Sequence, residues 1–255
     1  MGGGFRPRAV SVDGVEYRYS IWLPPECGDD DRVPRRLPIV LFLHGAGEKG
    51  DDGERQTTVG LGPALRAHPE RWPLIAVYPQ CREHQAWRGA MMQQAVTALD
   101  AAILELGADR GRQYLTGISM GGYGSWRLAL EYPDRFAALV PICGGLDASP
   151  TARDRALASL ERELAASPEL HLPVGSPGAD SHTAAARVLA AVPTWIFHGA
   201  ADDVIPVSES RVMYEAMLAA GADAHYTEYP RAGHDSWVPA YGEEELPRWL
   251  LRQRR

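Results

Sequence analysis

An α/β fold with a mostly parallel central sheet is what this sequence predicts, and three observations predict it. Short continuous apolar runs recur along the chain at Pro38–Leu43, Leu74–Tyr78, Phe136–Ile142 and Pro193–Phe197. Such runs are too short for helices and lack the alternation of a half-exposed strand, so they suit strands buried on both faces. Between them lie helical patterns, as in Met91–Leu106, where Met92, Val96, Leu99, Ile103 and Leu106 recur at three- and four-residue spacing. Third, Gly117-Ile118-Ser119-Met120-Gly121 joins the strand-like Gln113-Tyr114-Leu115 to a helix-like run, Tyr123–Glu131. A serine on such a strand–turn–helix elbow is pushed out of the backbone, and glycines flank it where strand and helix pass too close for a Cβ.

In chain order, Ala9–Leu23 alternates loosely and reads as two antiparallel strands turning at Asp13-Gly14, a strong hairpin dipeptide. This hairpin is expected at an antiparallel edge of the sheet. Pro24–Arg36 is a polar, Pro-rich loop, and the Pro38–Leu43 strand ends at His44-Gly45-Ala46-Gly47. Glu48–Gly62 reads as loop, with a short helix near Pro63–His68. After the Leu74–Tyr78 strand, Gln80–Gly89 is loop, and Gly107 stops the next helix. Ser208–Ala220 reads as a helix with Ser208 as its N-cap, Val207 and Val212 as a hydrophobic staple, and Gly221 as its stop. Ala224–Tyr229 is the last strand. In the tail, Glu243–Glu245 precede four arginines, an order that suits a helix dipole, with Pro247 restricting where that helix begins. From Ile142 to Pro193 no strand pattern occurs. Thr151–Ala166 and Ser181–Ala191 have helical patterns, separated by the Pro- and Gly-rich His171–Ser181. Residues 146–192 are therefore expected either as a lid or cap insertion within a single 1–255 domain, or as a crossover helix with a long surface loop.

The 255 residues, 45% hydrophobic and 23% charged, suit a globular protein with one sizeable core. A net charge of −7 argues against a nucleic-acid partner. No run of about 18 apolar residues is present to span a bilayer. Met1–Arg8 is Gly-rich and basic with no apolar region after it, so a cytoplasmic location is expected. Cys27, Cys81 and Cys143 are odd in number, far apart and without metal-ligand spacing, and read as buried free thiols. Nothing in the sequence sets an oligomeric state.

A serine hydroxyl needs a base to take its proton and a third group to orient that base. His234, in Gly233-His234-Asp235-Ser236-Trp237, follows the last strand and so falls at the same sheet edge as Ser119. His225 lies inside a strand pattern, and His68, His84, His171 and His182 have no motif around them. His44 and His198 directly follow strands, and each reads as a hydrogen-bonded strand-end residue. The acid is expected between nucleophile and base, where Asp202 and Asp203 are adjacent candidates and Asp147 is a third. Asp235 adjoins the base and would have difficulty bending back to its ring. Oxyanion donors are expected from the backbone N–H of Met120 and from the loop after Leu43, with Ala46 preferred and Gly45 and Gly47 as alternatives.

Taken together, Leu41–Asp52, Tyr114–Gly124, Pro141–Gly145, Trp195–Asp202 and Tyr226–Trp237 resemble the α/β-hydrolase fold. They are similar in particular to its esterase and phospholipase/carboxylesterase-like branch, which includes predicted peptidases and dienelactone-hydrolase relatives. The resemblance places the acid at the fifth position of His-Gly-x-x-Asp, which is Asp202. It departs in the long connection from Gly145 to Pro193, which bears on substrate preference. The function implied is a serine carboxylester hydrolase working through an acyl-enzyme. Its expected substrates are small neutral esters, because no cluster of cations is present to bind an anionic head group, and the mechanism requires no cofactor and no metal. Lys49, the chain's only lysine, reads as solvated. His44, Trp87 and Trp237 are the candidates for the pocket wall. Feruloyl, acetyl-xylan, polyester or peptide substrates are alternatives within the same chemistry, and a non-catalytic binding protein is an alternative outside it.

Overall fold

The computed structural model describes residues 3–28, 33, 36–146 and 181–255. Eight strands form one sheet in the order β1-β2-β4-β3-β5-β6-β7-β8. β1 (Gly4–Val12) and β2 (Val15–Leu23) make the antiparallel edge, and β2 also runs antiparallel to β4 (Ile75–Pro79). β3 (Ile39–Leu43), β5 (Gln113–Ile118), β6 (Ala138–Ile142), β7 (Thr194–Gly199) and β8 (Ala224–Tyr229) continue the sheet from β4 in parallel. The hairpin starts five residues earlier than the alternation suggested, and its turn, Asp13 and Gly14, has φ of 50° and 78°. Positive φ at both central residues matches the turn to the strand twist.

The continuous apolar runs are strands covered on both faces. Ile39, Leu41 and Leu43 of β3 enter the core on one side, while Val40 and Phe42 enter the core on the other. β4 divides in the same way, with Ile75 and Val77 against Ala76 and Tyr78. Three helices build the first core: α2 (Gly89–Leu106), α3 (Met120–Glu131) and α4 (Ser181–Leu189). α5 (Ser208–Ala219) joins them through Met213 and Met217. The second core lies under α1 (Leu61–Ala67), α6 (Trp237–Gly242) and α7 (Glu245–Arg252).

Several expectations are corrected in detail. α3 begins at Met120, three residues before the helical pattern, because its first turn is glycine-rich and carries little periodic signal. Ser208 is not the cap of α5: Val207 holds that position with helical dihedrals, no side chain caps the end, and Val212 is 39% exposed rather than stapled. The other end is as expected. Gly221, at φ 76°, donates to Leu218 while Ala222 donates to Met217, a paired closure that satisfies two terminal carbonyls. The expected Thr151–Ala166 helix, the His171–Ser181 loop and Asp147 lie outside the described residues. The Ser181–Leu189 part of the 146–192 range is a helix that buries Ala185, Ala186 and Leu189 against the core.

Candidate active site

Strand register gathers the chemistry at one edge. Leu43 pairs with Gly117, Ile118 with Ile142, Ile142 with Phe197, and Gly199 with Tyr229. The loops that follow these strands carry His44–Gly47, Ser119, Cys143, Asp202 and His234 and emerge side by side.

Ser119 sits at φ 53°, ψ −118°, outside the ordinary regions for a side-chain-bearing residue. Such strain costs roughly 1–3 kcal/mol and persists only where the surroundings enforce it. Enforcement comes from close packing on both sides. A Cβ on Gly117 would overlap the Gly121 carbonyl, and one on Gly121 would overlap the Leu43 carbonyl. Gly121→Ala is therefore expected to lower stability by more than about 4 kcal/mol or to prevent folding, because only backbone could give way. Thermal unfolding checks this, and a wild-type midpoint in the variant contradicts it.

The structure brings Ser119, His234 and Asp202 together. Ser119 Oγ lies 2.9 Å from His234 Nε2, and His234 Nδ1 lies 2.8 Å from Asp202 Oδ2. With Asp202 ionised, Nδ1 carries the hydrogen, so Nε2 accepts from the serine. Ser119 is 8% exposed and the His234 side chain 20%, so both reach solvent while the Asp202 side chain is fully enclosed. Burial alone would raise the Asp202 carboxyl. Hydrogen bonds from His198, His234 and the Ile205 N–H outweigh it and hold the group well below the usual carboxylate range. Asp203 and Asp235 are exposed, and the carboxylate bonded to His234 Nδ1 is that of Asp202.

The acid and base loops are tied by backbone. Ala200 N–H donates to Tyr229, Ala201 N–H donates to Ala232, and Gly199 passes so close to Gly233 that a Cβ would not fit.

Met120 is the first residue of α3, where an N–H has no acceptor within the helix. Ala46 opens a short 3-10 turn, Ala46–Glu48, directly beyond Gly45. A Cβ on Gly45 would stand 3.6 Å from Ser119 Cβ, so this loop borders the nucleophile. Glu48, which sequence reasoning did not single out, folds back under the loop. Burial raises its carboxyl, while the Gly45 N–H, Arg55 and its own N–H moderate the rise. Its i+4 spacing from His44 was the available signal.

Two pocket-wall candidates are corrected. His44 is fully buried, with Nδ1–H donating to Gly45 O at 2.6 Å and Nε2 accepting from Cys81 N–H at 2.9 Å. Burial lowers its pKa to about 4, Lys49 adds to the effect, and the Gly45 bond opposes it, so the ring is neutral near pH 7. Trp87 is 1% exposed and donates from Nε1 to His44 O at 2.9 Å. Both rings brace the loop from beneath, because the backbone carbonyls there point inward and need partners. Trp237 is the candidate that remains at the opening. It stands edge-on to His234, with centroids 5.5 Å apart. It also walls a cavity of about 350 Å³ between α1 and α6, with Val59, Gly60, Ala64, Val238 and Tyr241. Ser119 does not line this cavity, so Trp237 is the wall shared between it and the triad.

Among the described residues, Cys143, Asp202 and His234 form a cluster with metal-ligand spacing, their donor atoms within 4.8 Å. Asp202 and His234 are already bonded to each other there. Burial and the charge of Asp202 both raise the Cys143 thiol, which keeps it protonated and a poor ligand. The arrangement is suited to moving a proton from Ser119 to His234 against a fixed carboxylate.

The model of the prolyl oligopeptidase family matches residues 82–251, a span that holds Ser119, Asp202 and His234. The chain belongs to the prolyl oligopeptidase family. Among relatives of this family member is an uncharacterized secreted protein of Arthroderma benhamiae, 27% identical over 235 residues, covering 88% of this chain and 24% of that protein. A poly(3-hydroxyoctanoate) depolymerase of Pseudomonas fluorescens is 31% identical over 133 residues, covering 52% of this chain and 38% of that one. The chain thus spans well under half the length of these curated relatives. A solved thermostable esterase superposes with a TM-score of 0.73 at 27% identity, over 98% of this chain and 63% of its own. The fluorophosphonate-binding serine hydrolase FphF of Staphylococcus aureus gives 0.74 at 16% identity over 99% and 100%, a likeness of fold. The α/β-hydrolase fold and the esterase-like resemblance are both supported by these matches.

Proposed function

We propose that this prolyl oligopeptidase-family chain is a serine hydrolase that cleaves small neutral carboxylic esters, with short acyl or aryl groups, through an acyl-enzyme on Ser119. The observation that carries the reading is the continuous line from Ser119 Oγ to His234 Nε2, 2.9 Å, and from His234 Nδ1 to Asp202 Oδ2, 2.8 Å. Ser119 Oγ attacks the ester carbonyl as His234 takes its proton, and Asp202 accepts from the imidazolium that forms. The N–H groups of Met120 and Ala46 receive the oxyanion. His234 then protonates the departing alcohol, and water repeats the sequence to release the acid. No step calls for a metal or an organic cofactor.

The finer substrate assignment rests on Trp237 and its cavity. Its volume lies at the lower end of the range for small-molecule sites, about 300–1,000 Å³, and its wall is largely apolar and aromatic, with Thr58 and His68 as polar exceptions. Trp237→Ala is expected to lower kcat/KM for phenyl acetate and vinyl benzoate by about tenfold. Vinyl acetate is expected to change by less than about threefold, since an aryl group loses a contact of about 1–1.5 kcal/mol that an acetyl group never makes. Equal losses on all three esters contradict the assignment. A polyester substrate is the second reading, favoured by the match to the depolymerase.

Hydrolysis of p-nitrophenyl acetate by the wild type tests the activity itself. An initial burst of nitrophenol and an acyl adduct on the Ser119 peptide are expected, and a rate equal to the buffer background overturns the proposal.

A further inference from the structure

The acid of the triad receives hydrogens from four directions. Asp202 Oδ1 accepts the N–H groups of Val204 and Ile205, both at 2.9 Å. Oδ2 accepts from His234 Nδ1 at 2.8 Å and also faces His198 Nε2 at 3.2 Å. A carboxylate offers about four lone-pair sites, so this one is filled. The fourth donor differs from the others in kind, because it comes neither from the acid's own turn nor from the base.

His198 is the next-to-last residue of β7, four residues before Asp202, and neither side chain is exposed. Its ring orientation is over-determined. Nε2 stands 3.1 Å from Ile205 O and 3.2 Å from Asp202 Oδ2, and both of these only accept, so Nε2 carries the hydrogen and shares it between them. In the neutral ring Nδ1 is then the acceptor, and the Ser210 hydroxyl donates to it at 2.7 Å. Ser210 is 3% exposed and belongs to α5. A line of hydrogen bonds therefore runs from α5 through Ser210, His198, Asp202 and His234 to Ser119.

We propose that His198 is a positioning residue for the proposed hydrolysis: its Nε2–H holds Asp202 Oδ2 in place for His234, and Ser210 sets the tautomer that makes Nε2 the donor. The two backbone donors fix Oδ1 alone and leave the carboxylate free to pivot about that oxygen. His198 donates to Oδ2 itself, beside His234, and so restrains the oxygen that the backbone donors leave unheld. The imidazole of His234 must serve Ser119 and then the leaving oxygen while keeping its Nδ1 bond, so a wandering Oδ2 slows proton transfer. The depressed Asp202 carboxyl, to which the His198 bond contributes, is consistent with this. The His198 side chain is fully enclosed, so its effect falls on kcat rather than on KM.

The inference rests on the proposed ester hydrolysis, and its test separates the two. kcat and KM for p-nitrophenyl acetate are measured for wild type, Ser119→Ala, His198→Gln, His198→Asn, His198→Leu and Ser210→Ala. A glutamine amide nitrogen falls near the place of ring Nε2, whereas an asparagine amide falls near Nδ1. His198→Leu and His198→Asn are expected to lose on the order of 10- to 100-fold in kcat, the effect of one hydrogen bond to a charged group, with KM within about twofold. His198→Gln is expected to recover most of that loss, and Ser210→Ala to lose about three- to tenfold. Glutamine no better than leucine, or leucine at the wild-type kcat, overturns the proposal. Should the leucine and asparagine variants fail to fold, Ser210→Ala decides, and an unchanged kcat there overturns it. Wild-type activity in Ser119→Ala would instead remove the underlying reading.

Discussion

Replacing Ser119 by alanine is expected to lower kcat for a p-nitrophenyl ester by about 10⁵–10⁶-fold, with KM little changed. The substitution deletes the atom proposed to form the acyl bond and leaves the proposed oxyanion donors in place, so only binding and electrostatic stabilisation remain. Folding is expected to be spared. Ser119 Oγ bonds to His234 and caps nothing in α3, and alanine meets the same backbone strain at φ 53° that serine does. A thermal midpoint within a few degrees of wild type, together with the lost turnover, is the expected pair of results. Retention of more than about 1% of the wild-type kcat would move the nucleophile elsewhere.

Asp202→Asn is expected to cost about 10⁴-fold in kcat. The amide has little choice of orientation. Val204 and Ile205 both donate to Oδ1, so the amide oxygen must stay there and the NH₂ takes the place of Oδ2. That NH₂ faces His234 Nδ1, which must then accept, and the ring hydrogen moves to Nε2. His234 Nε2–H now points at the Ser119 hydroxyl and can no longer take its proton. The same NH₂ also meets the His198 Nε2–H donor head-on, so a loss of stability accompanies the loss of rate. A pH–rate series at saturating substrate checks this, and a variant within tenfold of wild type across the series contradicts the role given to Asp202.

What the sequence made legible follows from how local each signal is. Ser119, Asp202 and His234 each lie on a short turn after a strand, where glycine and strand-end position carry the information within a few residues. β3 and β4 were legible because burial on both faces leaves an uninterrupted apolar run. α6 was not expected. It spans six residues, Trp237-Val238-Pro239-Ala240-Tyr241-Gly242, includes a proline and is too short to show a period. It exists because Ala240 and Tyr241 pack into the second core. His44, Trp87 and His198 could be placed at the right edge from sequence, but not given a direction. Whether a ring turns outward or beneath a loop depends on which backbone carbonyls need donors, and those carbonyls come from other strands. Ser208 failed as a cap because Val207 takes the helical dihedrals first, with Pro206 O already accepting the Glu209 N–H.

The backbone ties between the loops after β7 and β8 bear on how the site comes apart. β8 is the last strand at its side of the sheet, and no residue in it is fully buried, whereas β5 lies inside with every residue buried. Strands of the first kind open at lower free energy than the global unfolding of the molecule. Because Ala200 and Ala201 hang on carbonyls of Tyr229 and Ala232, an excursion of β8 would displace His234 and loosen Asp202 in one movement. Ser119, rooted in β5 and the closely packed start of α3, stays where it is. The proposed base and acid thus depend on a strand with no buried residue, while Ser119 stands on the fully buried interior of the sheet.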